Sequence, residues 1–456
     1  MTLSLHGNKS LFFWRIRYHM KKSRIHSDIV RDSMNTFGTN VIRAVLGFVA
    51  AFVVLRRVNP EIKGLYNQVQ QWGGGFNTIF GLSVTAAVIY FVARYTIKNT
   101  KNAILKLCAV LFGAMLLIGS AVVFVLRGSS FFKNTPGQFL AAIVVYSVLS
   151  LILGVCTSIL RGENKFRSYN IVNLTQQILV TVLAVVIAFR PSASEWVWVT
   201  NGISFLMILF SLFCIARWNG PKPVPSKEDD IPVGTGSILS YSLKSHVSNV
   251  LTYLNTYLGG YIVQGKYALK TFGVYNTAFT MMQQVWILPD AVSQVIMSRI
   301  ASMKGQNDKV KLTLISSKIV TYATVIIALL MIWLADLFIP MLFPMYTGVL
   351  EPLKYLIVGS VFISYAKVLG NSIAAYGRPE LNIIPTFLGM VVNCVSSLTL
   401  VPVMGVNGVA LATSLSLTVQ GLSCAVIFSR FSHIAFYRLL IPSREELNAF
   451  RKILKK

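Results

Sequence analysis

Twelve apolar stretches, each about the 20 residues that a helix needs to cross a bilayer, fill this chain from Asn35 to Arg430. In hydrocarbon no solvent satisfies backbone N–H and C=O groups, and a helix pairs them within one segment. The stretches lie at about 35–57, 66–93, 104–126, 138–160, 169–189, 197–217, 239–263, 275–298, 315–339, 353–376, 381–401 and 406–429. They predict an all-α polytopic membrane protein. Composition agrees: 54% of residues are hydrophobic and 12% charged, about half the charged fraction of soluble domains.

A formal net charge of +27 would point to nucleic acid in a soluble protein. Here most of it follows the positive-inside rule. Lys and Arg gather in the N-terminal arm, the C-terminal tail and the alternate loops that share their side, which predicts two cytoplasmic termini in a bacterial inner membrane and no nucleic-acid partner. The five cysteines all fall inside apolar runs, without a CxxC pair, and read as small buried side chains rather than ligands.

The long polar break from Asn219 to Gly236, GPKPVPSKEDDIPVGTG after the Asn, has linker composition. It divides the chain into a basic arm (1–34), an N-lobe of six helices (35–218), a cytoplasmic linker (219–237), a C-lobe of six helices (238–430) and a tail (431–456). A shift of 209 residues sets Asn40-Val41 on Asn249-Val250, and Gly64-Leu65-Tyr66-Asn67 on Gly273-Val274-Tyr275-Asn276. Even-numbered repeats share one orientation and are related by an axis along the membrane normal, the arrangement of alternating-access transporters. The arm interleaves Phe12, Phe13, Trp14 and Tyr18 with basic residues, as an interfacial helix on anionic lipid does; a disordered leader, with Met20 as the start, is the other reading. In the tail, Ser443 and Glu446 have capping-box spacing.

Ionisable groups inside a membrane are functional candidates. Arg43 stands eight residues into the first helix, roughly 12 Å from its cytoplasmic end at helical rise. Lys367 and Asp290 fall at a similar level in the tenth and eighth helices, with Lys244 and His246 nearer the cytosol in the seventh. Two readings stay open: a buried ion pair, Asp290 with Arg43 or Lys367, or a cationic seat for a phosphate-type ligand supplied by Arg43, Lys367 and Lys244. Asp290 and His246 are the candidates for coupling. Helix breaks are expected at Gly73, Gly74, Gly75 and Gly81 in the second helix and at Pro289 in the eighth; interruptions at matching points of two repeats mark a binding site or hinge. Around them Gln70, Gln71, Trp72, Asn77, Gln283, Gln284 and Trp286 suit sugar hydroxyls and ring faces, or serve as polar glue between helices. Walker A, HExxH and GxSxG patterns are absent, so no enzyme, metal or cofactor is expected.

Two stretches carry a resemblance. Gly273–Ala301, and the pattern Gly377, Pro379, Leu381, Asn382 followed by Pro402, Gly405, Gly408, Ala410, Ala412 and Thr413, resemble Wzx-like flippases of the polysaccharide transporter family, in the multidrug/oligosaccharidyl-lipid/polysaccharide (MOP) exporter superfamily. The resemblance covers residues 35–430. It implies two six-helix lobes in a V with helices 1, 2, 7 and 8 lining a central cavity, and the flipping of undecaprenyl-diphosphate-linked oligosaccharide, an O-antigen or capsular repeat, to the outer leaflet. The implied partners are that lipid-linked cargo, membrane lipids, a polysaccharide polymerase and a chain-length regulator. Secondary-active transport is expected, driven by H+ or Na+ or by the membrane potential, which is worth about 2.3 kcal/mol per charge per 100 mV. A drug/cation antiporter of the superfamily would carry an acid in its first helix, where this chain has Arg43. A lipid II-type flippase would have two further helices. A non-transporting scaffold of glycan assembly is the remaining alternative.

Overall fold

A computed structural model describes residues 35–36, 38–133, 135–217, 234–303 and 305–440. The proposed arm, most of the linker, and the tail from 441 onward, with its Ser443 cap, lie outside the described residues. The described chain is helical: α1 (Gly38–Arg57), α2 (Pro60–Phe80), α3 (Val84–Leu126), α4 (Gly137–Gly162), α5 (Phe166–Phe189), α6 (Ala193–Ala216), α7 (Thr235–Lys266), α8 (Leu269–Gln284), α9 (Ile287–Ser302), α10 (Gln306–Leu342), α11 (Leu350–Ala375), α12 (Ile383–Met404), α13 (Val406–Phe431) and the short α14 (Tyr437–Leu440). Among the described residues nine helices are long and apolar enough to span a bilayer, or ten if α2 and the first part of α3, bent by 55°, count as one. The two remaining expected spans are α7 and the pair α8–α9. α8 and α9 fall short because the break between them leaves each only 16 residues long, and α7 because it carries polar side chains, several of which face the seam described below.

Local chemistry explains the boundaries. Asn59 caps α2, its side chain accepting from Glu61 N at 2.9 Å, with Pro60 at the first helical position, where a missing N–H does no harm. Ser192 caps α6 through Glu195 N at 3.2 Å. Gly377, at φ +82°, ends α11 in the left-handed conformation that glycine adopts without strain. Pro379 then opens a 3-10 turn, and Asn382 Nδ2 reaches back to Gly370 O at 2.9 Å. Gly405 turns α12 into α13 at φ +60°. Gly377, Pro379, Asn382 and Gly405 of the motif Gly377–Thr413 thus each have a structural task.

Buried apolar side chains form two principal clusters. One draws on residues between Val54 and Ile208; the other runs from Val263 to Leu417 and takes in Leu55 from α1. We call these halves the first and second lobe. They meet where α2 crosses α8. A Cβ on Gly64 would stand 2.3 Å from Leu269 O, and a Cβ on Gly273 would stand 1.9 Å from Pro60 O. Shifting by 209 residues turns Pro60 into the position of Leu269 and Gly64 into that of Gly273, so the two contacts exchange under the repeat: a local two-fold axis runs through this crossing. Around it Tyr346 OH donates to Val58 O at 2.9 Å, Lys63 Nζ donates to Thr277 Oγ1 at 2.6 Å, and Phe52 packs edge-on to Phe343. This is the sealed end of the bundle. Toward the other, basic end the lobes also touch along α3 and α7, where Tyr90 stacks on Tyr241 and Ile238 enters the α3–α4 core. The corresponding half of α1 stays open, with Val41, Ile42, Val45 and Phe48 exposed.

The crossing makes a prediction. Gly273→Ala should lower stability by about 1–3 kcal/mol, because the backbone opposite has no room to give. Gly113→Ala, in α3 with nothing within 4 Å of the added carbon, should be neutral or stabilising by up to about 1 kcal/mol. Thermal unfolding of the two variants in the same detergent checks this.

Candidate functional site: the seam between the lobes

α2 is the spine of the seam. It runs unbroken through Gly73, Gly74 and Gly75, so the expected interruption at these three glycines does not occur. They are docking points instead. A Cβ would meet Tyr146 at Gly73, Tyr253 at Gly74 and Tyr261 at Gly75, one ring from the first lobe and two from the second. Tyr253 OH and Tyr261 OH both donate to Gln71 O, at 2.5 and 3.1 Å. Gln71 Nε2 donates to Tyr257 O at 3.3 Å, and Trp72 Nε1 donates to Gln264 Oε1 at 2.8 Å. Trp72 is enclosed by Phe76, Phe131, Phe132 and Tyr261, and Gln70 Nε2 bonds Tyr66 OH at 2.7 Å. Of the sugar-facing candidates on this helix, Gln70, Gln71 and Trp72 therefore take part in packing and interlobe bonding.

α2 breaks after Phe80. Leu82 and Ser83 take positive φ values of 46° and 55°, a conformation that costs non-glycine residues about 1–2 kcal/mol each. Beside the break, between α2–α3 of the first lobe and α7 of the second, is a cavity of about 400 Å³. Asn77 and Gly81 line it, as do Thr78 and Ser83, and α7 presents Asn249, Thr252, Tyr253, Thr256 and Tyr257. Asn249 Nδ2 donates to Ser83 Oγ at 2.8 Å across the seam, and Asn77 Nδ2 donates to Ser150 Oγ at 3.0 Å. No charged side chain is among the described lining residues. The α7 stripe escaped the sequence reading although it has a signal: polar or aromatic residues at 249, 252, 253, 256 and 257 follow helical spacing on one face of a span.

In the second lobe, α8 ends at Gln284 and α9 starts at Ile287. The interruption lies at Val285, four residues before Pro289, whose ring would clash with that carbonyl and whose missing N–H leaves it unbonded. Asp290, just beyond, receives Lys367 Nζ at 2.7 Å. Lys367 also sits 4.7 Å from the centroid of the Trp286 ring. Asp290 is 48% exposed and Lys367 23%; both belong to the second lobe, so the pair ties α9 to α11 and does not lock the lobes together. Gln283 is half-buried, and Gln284 is exposed with its amide on Thr280 O at 3.2 Å. Arg43 is half-buried on α1, its Nε without a hydrogen-bond partner; three residues on, Leu46 O accepts from Thr181 Oγ1 of α5 at 3.3 Å. His246 is half-buried on α7 with Nδ1 unbonded. The side chain of Lys244 lies outside the described residues. Lys367 thus pairs with an acid of its own lobe, and Arg43, His246 and Lys367 are not among the described residues that line the cavity at the α2 break. Among the described residues no three His, Cys, Asp or Glu side chains gather as metal ligands.

Comparison with known proteins follows the geometry. The chain is similar to the probable low-salt glycan biosynthesis flippase Agl15 of Haloferax volcanii, at 20% identity over 420 residues, spanning 90% of this chain and 85% of that protein. Its fold matches the lipid II flippase MurJ in an inward closed conformation, with a TM-score of 0.65 at 15% identity over 89% of each chain. It also matches an inward-facing multidrug resistance MATE family transporter of the MOP superfamily, with a TM-score of 0.63 at 14% identity over 89% of this chain and 98% of that one. At such identities the structural likeness shows the fold. A family model described as "polysaccharide biosynthesis protein" matches residues 29–289, more than half of the chain. With a MOP-type helical fold and this match, the chain belongs to the polysaccharide biosynthesis protein family.

Proposed function

We propose that this protein is a flippase that moves polyprenyl-diphosphate-linked oligosaccharide from the cytoplasmic to the outer leaflet by alternating access. The observation that carries the reading is the neutral, hydroxyl- and amide-lined cavity at the seam of two repeat-related lobes, in a chain of a polysaccharide biosynthesis family. The similarity to a probable glycan flippase over 90% of the chain supports it. The basic end is cytoplasmic under the positive-inside rule, so both termini face the cytosol and the cargo enters from the half of the bundle where α1 stands open.

Arg43 and Lys367 receive the diphosphate in this reading. Asp290 holds Lys367 in the empty state. An ion pair this exposed contributes only about 0–1 kcal/mol, whereas a diphosphate brings two charges and several acceptor oxygens, so exchange of carboxylate for phosphate is favourable. The stacked Trp286 keeps the ammonium in place during the exchange. Outward movement of the charged head is assisted by an inside-negative potential, by roughly 5 kcal/mol for two charges at 100 mV.

Lys367→Ala and Arg43→Ala should each lower surface glycan at least tenfold with protein abundance in the membrane unchanged; glycan at the parental level would remove that residue from the mechanism. Asp290→Asn, which frees Lys367, should retain or raise affinity for a short-chain polyprenyl diphosphate, whereas a loss of affinity would assign Asp290 to binding rather than to competition. In proteoliposomes, collapsing an inside-negative potential should slow flipping of the lipid-linked glycan severalfold, and an unchanged rate would remove the potential as a driving force.

A further inference from the structure

One cation of the seam lies apart from Arg43 and Lys367. Lys63 stands in the first turn of α2 at the sealed end, half-buried. Its Nζ donates to Thr277 Oγ1 of α8 at 2.6 Å and lies 5.7 Å from the centroid of the Tyr346 ring, within cation–π reach. Thr277 gives its own hydrogen to Gly273 O at 2.7 Å, and Tyr346 gives its to Val58 O. Both partners are uncharged and both belong to the second lobe, whereas α2 belongs to the first. Among the described residues no carboxylate pairs with Lys63. Glu61, Glu195 and Glu351, acids of the same end, are exposed, and Asp336 pairs with Lys354 at 3.0 Å.

The fold does not require a charge here. A shift of 209 residues carries Lys63 onto Phe272, which is fully buried in the second lobe, so an apolar side chain serves at the same place of the other repeat. A cation set among neutral groups in a membrane segment costs stability, and such residues mark substrate and ion paths. Depth gives the path its direction. α1 rises about 21 Å from Arg43 to Arg57, and the chain turns back through Val58 and Asn59 into α2. Lys63 therefore lies roughly 15 Å outward of Arg43, near the outer boundary of a hydrocarbon core about 30 Å thick.

We propose that Lys63 is a second, outer seat for the diphosphate of the cargo, covered while the lobes are sealed and uncovered when they part. The inference rests on the flippase reading and deepens it. Parting the lobes at this end removes Thr277 and Tyr346 together and leaves the ammonium bare at the mouth of the seam. Its three hydrogens then meet phosphate oxygens in charge-assisted bonds, at the depth where the head group leaves the protein. An anion on Lys63 binds only the parted form, so its arrival shifts the lobes toward outward opening. After release, Lys63 returns to Thr277 and the end closes.

The test uses the full-length protein in phosphatidylcholine vesicles, a short-chain polyprenyl diphosphate bearing a disaccharide, and inorganic pyrophosphate on the side that the sealed end faces. Lys63→Gln keeps a donor for Thr277 and removes the charge. It should slow outward flipping roughly tenfold or more with thermal stability unchanged or raised. Lys63→Arg, which keeps the charge, should recover most of that loss. Pyrophosphate competes for the seat, so it should slow the parental protein severalfold and leave the residual rate of Lys63→Gln unmoved. Flipping at the parental rate by Lys63→Gln overturns the inference. Pyrophosphate acting alike on the two proteins, on both or on neither, overturns it too, because Lys63 is then a latch of the seal only. A defect that emerges only when phosphatidylglycerol is added to the vesicles gives the seat to bulk acidic lipid instead, and also overturns it. If the parental protein does not flip the glycolipid, the flippase reading itself fails, and the outer seat with it.

Discussion

The whole arrangement hangs on a backbone-to-backbone contact. Where α2 crosses α8, Gly64 and Gly273 leave so little space that the carbonyls of Leu269 and Pro60 would lie far inside van der Waals contact of any added carbon. Small residues allow such approaches in membranes, where association depends on packing and polar bonding rather than on exclusion of water. Because the contact is reciprocal under the repeat, one axis relates the lobes, and it closes one end of the seam. Lys63 on Thr277 and Tyr346 on Val58 reinforce the same end. Beyond this pivot the interlobe polar contacts gather on α2, the turn that follows it, and α7.

Polarity along the seam is graded. Near the pivot the contacts are committed: Trp72 with Gln264, and two tyrosine hydroxyls on one carbonyl of Gln71. Further along, a single Asn249–Ser83 bond spans the lobes beside open space. A neutral interlobe hydrogen bond is worth only about 0.6 kcal/mol on average in membrane proteins, and at this end Tyr90 stacked on Tyr241 and Ile238 in the α3–α4 core hold the lobes as well. The strained Leu82–Ser83 turn sits at the boundary between the two regimes. Non-glycine residues in that conformation persist where surrounding structure holds them, and a helix broken inside a membrane is tolerated where it lines a cavity. The second break, at Val285, has a different cause in Pro289, and it places Trp286 and Asp290 at the start of a separate short helix.

Much of the architecture was legible in the chain. Apolar lengths marked nearly every helix, and the 209-residue shift picked out the two glycines that meet in space. Pro289 marked a break because proline acts on a neighbour four residues away. Gly73–Gly75 misled for a physical reason: glycine weakens a helix but also admits a neighbour, and only the positions of Tyr146, Tyr253 and Tyr261 decide between the two. Likewise, Trp72 and the two glutamines have the chemistry of a sugar site, and burial assigned them to packing. The α7 stripe of threonines, asparagine and tyrosines was readable as a polar face, yet a face alone does not say whether it meets another helix or a void.

The amino-acid sequence determined what is decided within a single helix or turn: an all-α membrane bundle, its breaks at Pro289 and near Gly81, the glycine and proline punctuation of Gly377–Thr413, and the family these carry. Bilayer thickness and backbone hydrogen bonding enforce those choices over about 20 residues at a time. Only the tertiary structure decided that Lys367 answers Asp290, that Asn249 reaches Ser83 across 166 residues of chain, and that the described residues lining the cavity beside that bond are uncharged. Those outcomes depend on how each helix is rotated about its own axis and how the lobes lean on their pivot, and no local pattern encodes a rotation that packing alone sets.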